Sequence, residues 1–403
     1  MNGANNNEIV IVGGGPVGLA FALAAARLRD IKITLVERQT LALARLSSHF
    51  DHRVYALSPG SKILLEALGV WQRIPRERIE PVRVMQVFGD TAATGAIPAA
   101  RPEIDFAEGT PLAFIVEYSS LMQALLGQVR EHPETICVLD DTPVKHVEFA
   151  GLGDKTLTHK VVLDDGSIQH ATLLIAADGA ASPLRKEAGI AAEAKDYESD
   201  GVVANFKIQQ PHGGIARQWF SPDGVLAYLP LPDRQISIVW SVSCARADEL
   251  VALDDAAFAV AVAAAGEHAL GELNLCSVRA RFPLRRMMAK NYVQPGFALM
   301  GDAAHTVHPL AGQGANLGFA DVRTMWQVLQ NRSALSGIGD LALLRQYERA
   351  RREDALVMGG VTDSLRSLFL SESPLAIRIR RDGLNMANRL RIAKSMMMSH
   401  AMK

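Results

Sequence analysis

The sequence predicts an α/β protein: a Rossmann-like dinucleotide-binding unit with a β-meander insertion, a mixed or antiparallel sheet beside it, and a helical C-terminal end. Three observations carry this prediction. Gly13-Gly14-Gly15-Pro16-Val17-Gly18 lies between an apolar run and an Ala/Leu-rich stretch. From Gly201 to Ser243, β-prone runs alternate with Pro/Gly turns such as Pro211–Gly214 and Pro230–Pro232. From Gln313 onward the pattern is helical.

The elements follow in order. Glu8–Val12 is apolar and ends in glycines, as a parallel strand covered on both faces does. Pro16–Arg27 reads as the next helix and Ile31–Val36 as the second strand, giving a βαβ unit. Ser58–Trp71 and Ser120–Glu131 are expected as helices, and Val82–Phe88 as one strand. Val144–Phe149, Leu157–Leu163 and Ala171–Ala176 form a run of strands, with Asp165-Gly166 supplying a hairpin turn. Val202–Phe206 and Ile236–Trp240 are expected in one antiparallel sheet, and Asp254–Ala265 as a surface helix. No repeat at a period of roughly 20–50 residues is visible, which argues against a solenoid. The expected division gives residues 1–75, 100–185 and 277–340 to the dinucleotide unit. Residues 76–99 and 186–276 go to a substrate unit, and 341–403 to a C-terminal helical region.

A chain of 403 residues, 49% hydrophobic, has room for two or more units with buried cores. A net charge of −1 gives no global attraction to nucleic acid. Cys137, Cys244 and Cys276 are odd in number and not at metal-ligand spacing, which suits a reducing compartment. No metal site is expected. Met1–Asn7 is polar and uncharged, unlike a signal peptide. The apolar stretches Leu19–Leu28 and Ala256–Gly266 are too short or too charged to span a bilayer. A cytoplasmic location is expected.

The glycines carry the first chemistry. Gly13 allows the strand-to-helix turn, Gly15 lets backbone approach a diphosphate, and Gly18 lets helix and sheet pack closely. Pro16 opens the helix, whose free N–H groups and dipole favour a negative group. Glu37 ends the second strand, 19 residues after Gly18, where a carboxylate can accept both adenosine ribose hydroxyls. It would repel a 2′-phosphate, so FAD or NAD fits better than NADP.

A second motif lies nearly three hundred residues away. Gly301-Asp302 follows the apolar run Phe297–Met300, so Asp302 is delivered to the carboxyl end of a strand, within reach of a ribityl hydroxyl. Gly312-Gln313-Gly314-Ala315-Asn316 opens a helix whose N-terminus favours negative charge on a flavin pyrimidine edge by roughly 0.3–1 kcal/mol. Together the two motifs point to one FAD held at both ends. Asp178-Gly179 also follows an apolar strand; the residues alone fit a ligand contact and a plain turn equally. Arg53, in the loop Asp51-His52-Arg53, reads on its own as a solvated arginine. His305 and His308 are three apart but not on a helix, since Pro309 follows directly. With no acidic or Cys set beside them, they read as hydrogen-bonded residues lining a flavin pocket rather than metal ligands.

The motif set Gly13–Gly18, Asp178-Gly179…Arg185 and Gly301-Asp302-Ala303-Ala304-His305…Pro309…Gly312-x-Gly314 resembles that of single-component aromatic flavin monooxygenases. Further segments are similar to the ubiquinone-biosynthesis hydroxylase family. These are Asp51-x-Arg53-x-x-Ala56-Leu57-Ser58, Ile115-Val116-Glu117, Tyr228–Leu231, Ser237–Trp240, Phe282-Pro283-Leu284 and His305–Gly314. His308, where many members carry Asn, resembles the octaprenyl-methoxyphenol hydroxylase branch.

The resemblance implies roles at matching positions. Glu37 and Arg38 would hold the adenosine, with Val144 near the adenine. Arg53 and Gln123 would contact the cofactor between ADP and flavin. Asp178 would serve FAD and the approach of the reductant, NAD(P)H or another donor, for which no second glycine fingerprint exists. His308 and Pro309 would lie beside the flavin ring where oxygen reacts. Positions 118 and 119 are Tyr and Ser, where the family often has Asn-Arg. The implied activity is transfer of a hydroxyl from a flavin hydroperoxide to the aromatic ring of a polyprenyl phenol. Alternatives are a hydroxylase of another small phenol, a prenyl reductase, or a non-catalytic FAD-bearing subunit. A halogenase is disfavoured, because Trp219 and Trp240 stand alone rather than in a paired tryptophan motif.

The C-terminal end carries Arg378, Arg380, Arg381, Arg389, Arg391 and Lys394 among Ile377, Ile379, Leu384 and Leu390. A basic helix with an apolar face fits a peripheral place at the inner face of a membrane or in a biosynthetic complex. It fits equally a helix packed on the core.

Overall fold

The computed structural model describes residues 7–43, 46–89, 104–107, 110–151, 158–221, 223–306 and 313–370. At its centre is a six-stranded sheet in the order Val293–Gln294, Phe297–Leu299, Leu173–Ala176, Asn7–Val12, Ile31–Val36, Ile136–Leu139. The last five strands are parallel, with Ile11 level with both Ile175 and Leu35. The inner strands are buried on both faces, as the unbroken apolar run of Ile9–Val12 requires, while Lys32 and Cys137 toward the far edge are exposed. The helix Pro16–Ala25 covers one face and is buried from Gly18 to its end. A three-stranded antiparallel meander, Val144–Glu148, His159–Leu163 and Ile168–Ala171, is inserted before the strand Leu173–Ala176. Gly166 turns its second hairpin at φ 83°.

The expected strand Val82–Phe88 is two strands in two sheets. Ile79–Val82 joins a small sheet with Val54–Leu57 and Ala113–Glu117, and Val84–Phe88 pairs in parallel with Ile215–Ser221. Pro81 and Arg83 flank the switch. This second strand belongs to a large mixed sheet containing Ala192–Ile208, Gly224–Leu231, Gln235–Ser243 and Ala280–Ala289. Ile104–Ala107 and His305–Thr306 pair in it too, so with Ala280–Ala289 three strands whose residues the sequence division gives to the dinucleotide unit lie in the large sheet. Val202 and Trp240 stand opposite each other, as do Phe206 and Ile236. On one face these residues pack with Leu226, Tyr228 and Trp219 under the helices Cys244–Ala252 and Asp255–Ala265. Asp254 caps the second helix, accepting from Ala257 N at 2.7 Å.

The helical C-terminal end begins with Gln313–Gln330, packed between the first helix and the long helix Leu341–Leu370. The basic segment from Ile377 onward lies outside the described residues. Among the described residues no helix is long and apolar enough to cross a membrane.

Two contacts at the head of the central sheet leave no room for a side chain. A β-carbon on Gly13 would stand 2.3 Å from Ala177 O, and one on Gly18 would stand 1.9 Å from Gly13 O. Gly18→Ala should therefore separate helix from sheet and destabilise the FAD-free protein by about 1–3 kcal/mol or more. Chemical denaturation checks this; an unchanged midpoint would contradict the packing argument.

Candidate functional site

Four parallel strands end on one edge at Val12, Val36, Ala176 and Leu299, and the residues that follow are the candidates. The sheet brings Gly13, Glu37, Asp178 and Asp302 to its carboxyl edge, where open α/β sheets bind ligands. Val17 joins the two distant glycine motifs. Its side chain fills the space beside Gly301 and Gly318, where added β-carbons would stand 3.2 and 2.5 Å from Val17 Cγ2.

In the fingerprint turn, Gly13 N donates to Val36 O at 2.8 Å. Glu37 accepts from Gly14 N at 2.6 Å and from Gln39 N at 3.0 Å, which leaves lone pairs on both oxygens. Arg38 is exposed. Pro16 is the first residue of its helix, and no protein atom lies within 4 Å of a β-carbon built on Gly15. A β-carbon on Gly179 or on Gly314 would likewise meet no atom within 4 Å.

Asp178 has an internal task. It accepts from Ser182 Oγ at 2.6 Å and from Leu184 N at 3.1 Å, heading the short helix Pro183–Glu187. Burial pushes its carboxyl up, against the pull of these bonds and of Arg185. Arg185 is itself buried and donates to Ala180 O and, at 2.7 Å, to Ala303 O, fastening this motif to the Gly301 turn.

Asp302 is open to solvent, yet burial pushes its carboxyl up, and the pull of His305 and Arg53 does not offset this. The guanidinium of Arg53 lies 4.5 Å from the Tyr118 ring and 5.5 Å from that of Tyr55. Tyr55 is pushed up to about 12, by burial first. Glu117 holds this loop: it accepts from Asp51 N at 2.8 Å and from Arg78 at 2.9 Å. Gln123 lies on the helix Tyr118–Val129 and borders a cleft of about 1040 Å³ between Phe50–His52 and Leu275–Arg279. Val144 is half-buried beside Leu163 in the meander, away from these residues in sequence but packed on the same core.

On the distal helix, Ala315 is half-buried and Asn316 is buried. Asn316 donates to Ala56 O at 2.8 Å and accepts from Ser58 N and Ser61 Oγ, so its side chain ties the helix to the segment after Arg53. His308, Pro309 and Gly312 lie outside the described residues. His305 is an interior residue rather than a pocket wall, 2.7 Å from the buried Asp321. Glu117 and Tyr118 enter the sequence reading only as part of a family segment and as a departure from it, with no role, and Asp321 and Arg351 are not singled out. The signal for Asp321 is a carboxylate inside the apolar stretch Leu317–Val322; Arg351 gives none. Among the described residues no three His, Cys, Asp or Glu converge as a metal site needs.

Residues 6–358 match the FAD binding domain family. The chain is 34% identical to Escherichia coli 3-demethoxyubiquinol 3-hydroxylase, with 98% of each chain covered. It is 32% identical to the mouse mitochondrial ubiquinone biosynthesis monooxygenase COQ6, over 98% of this chain and 91% of that one. The chain belongs to the ubiquinone-biosynthesis hydroxylase family of FAD monooxygenases. Two solved structures share its fold at lower identity. One is p-nitrophenol 4-monooxygenase PnpA from Pseudomonas putida, with a TM-score of 0.75 at 16% identity over 98% of both chains. The other is Klebsiella pneumoniae HpxO complexed with FAD and uric acid, with a TM-score of 0.72 at 16% identity over 98% and 96%.

Two substitutions separate fold from ligand. Gly15→Ala adds a methyl group into open space, so the FAD-free protein should melt as wild type while flavin occupancy falls. Loss of both would place the methyl against protein instead. Asp302→Asn should lower FAD affinity about tenfold to a hundredfold. Because burial raises this carboxyl, the FAD-free variant at neutral pH should be no less stable than wild type. Any gain should fade as pH falls through the raised value and the wild-type group becomes neutral. Isothermal titration and melting curves over pH check both halves.

Proposed function

We propose that this chain holds FAD along the carboxyl edge of the parallel sheet and hydroxylates the aromatic ring of a polyprenylated phenol in ubiquinone biosynthesis. The observation that carries this reading is the carboxyl edge of the parallel sheet, where Gly13, Glu37, Asp178 and Asp302 follow four strand ends and Gly15, Gly179 and Gly314 face open space. Its donors and acceptors fit FAD: N–H groups at the head of Pro16–Ala25 for the diphosphate, spare lone pairs on Glu37 for ribose, and an under-bonded carboxylate for ribityl hydroxyls.

In this reading Gly13, Gly15, Pro16 and Gly18 shape the diphosphate site, while Glu37 and Arg38 hold adenosine beside Val144. Arg53 and Gln123 contact the middle of the cofactor, and Asp178 with Gly179 lies where a reductant approaches. Asp302 takes the ribityl chain. Gly312, Gly314, Ala315 and Asn316 bring the head of the distal helix to the flavin, and His308 and Pro309 border its ring. Bound FAD supplies reducing electrons and oxygen activation. The chain supplies position, a dry face and fixed dipoles.

The second face of the large sheet suits an apolar ring. Val203, Val239 and Ala227 share it in register and are not covered by the helices that bury Val202, Trp240 and Leu226. One end of this face packs on Phe50 and Ile115, which turns it toward the cofactor unit. We assign the phenol there and NAD(P)H, or another donor, to the carboxyl edge of the parallel sheet. The basic segment after Pro374 is assigned to contact with anionic membrane or a biosynthetic partner.

Purified protein should be yellow and release intact FAD on denaturation; FMN, or flavin left on the precipitate, would refute the cofactor assignment. With reductant and a short-chain prenyl phenol, oxygen uptake should match hydroxylated product by mass spectrometry. Flavin reduction without hydroxylated product would favour a prenyl reductase, and no turnover with any donor would favour a carrier subunit. Truncation after Pro374 should leave a flavin-loaded enzyme that no longer binds anionic vesicles; aggregation or FAD loss would make the segment structural.

A further inference from the structure

We propose that Asp321 is the positioning residue of the cofactor edge, its one carboxylate fixing the turn that carries Asp302 and tying that turn to the long C-terminal helix. This rests on the assignment of Asp302 to FAD.

Asp321 lies in the distal helix and is fully buried. Its Oδ2 accepts from Gly301 N at 2.9 Å and stands 2.7 Å from His305 Nε2. Its Oδ1 accepts from Arg351 Nε at 2.7 Å. Both ends of the turn from Gly301 to His305 therefore hang on one oxygen atom, and Asp302 is the residue next to the first anchor. Other bonds hold the turn between these ends: Ala303 O accepts from Arg185, and Ala304 O from Ala289 N at 2.9 Å. Arg351, on the helix Leu341–Leu370, also reaches Asp354 and Leu317 O.

The carboxylate stays ionised at this depth because it is paired. Burial alone would push it up, but His305 and then Arg351 outweigh burial and hold it below the ordinary range. A pair that only joined two helices would have no need of the turn's backbone. Here the same oxygen accepts from the backbone N–H of Gly301, the residue preceding the candidate ligand.

The experiment compares wild type with Asp321→Asn, His305→Gln, His305→Leu and Arg351→Met, measuring FAD dissociation, flavin midpoint potential, visible spectrum and melting temperature. Asp321→Asn should weaken FAD binding by the folded protein at least about tenfold and shift the flavin potential. His305→Gln, which keeps a donor to Oδ2, should hold FAD within about threefold of wild type, while His305→Leu should not. Arg351→Met should lower the melting temperature more than it lowers FAD affinity. Lower melting temperatures with unchanged FAD affinity, potential and spectrum, and equal behaviour of the two His305 variants, would reduce Asp321 to a core ion pair. If Asp321→Asn does not fold, the His305 pair decides by itself. If wild type binds no FAD, the cofactor assignment fails instead, which is a separate result.

Discussion

The carbonyl oxygen of Gly13 stands 1.9 Å from where a β-carbon on residue 18 would lie, and Ala177 O stands 2.3 Å from one on residue 13. Strand, turn and helix therefore meet backbone to backbone, and only glycine permits it. Much at the sheet edge follows from that approach. The head of Pro16–Ala25 is held against the strand ends, with its first-turn N–H groups left without intrahelical partners. Val17 is brought onto Gly301 and Gly318, which fixes the distal motif relative to the first. The N–H of Gly14 is brought within 2.6 Å of Glu37.

The acids at this edge divide by what surrounds them. Asp321 is enclosed by a histidine, an arginine and a backbone N–H, and its carboxyl is held down. Asp178 and Asp302, at the strand ends, are pushed up by burial that their protein partners do not offset. Asp178 still accepts from Ser182 and Leu184. The interior acid is the opposite case in charge balance, since removing one partner of a buried pair costs about 3–5 kcal/mol.

Sequence made the glycines and strand-end acids legible because their signal is local: an apolar strand, a turn only glycine can make, then a helix. It failed where pairing decides. Pro81 and Arg83 divide an apparently continuous strand between two sheets. The first half of Ala192–Ile208, with Lys195, Asp196 and Glu198, drew no strand expectation; pairing with Ala280–Ala289 across an irregularity at Asp196–Asp200 makes it strand. Arg351 looks like one more arginine on a charged helix until the fold sets it against Asp321, thirty positions away. Asn316 could be placed at a helix head but not aimed: its side chain turns inward to Ala56, Ser58 and Ser61. Tyr118, a departure from the usual family residue, becomes the platform beneath Arg53.

The large sheet is fastened to the cofactor edge on two sides. Met287 and Met288 pair with Thr306 and His305, so the strand Ala280–Ala289 is bonded to the residues that close the Asp302 turn. Across the sheet, Asn205 donates to Phe50 O and Asp51 O, holding the loop that leads to Arg53. Hydroxylation needs a ring and a reactive oxygen in a fixed relation, and a misplacement of about 1 Å can cost about a hundredfold in rate. An apolar substrate offers few polar contacts by which the protein could correct its position. The alignment must then come from the scaffold, through backbone bonds running from the sheet to the turn. Asp321 sits where those bonds meet the C-terminal helices, its carboxylate bonded to both ends of the turn that carries Asp302 and to Arg351.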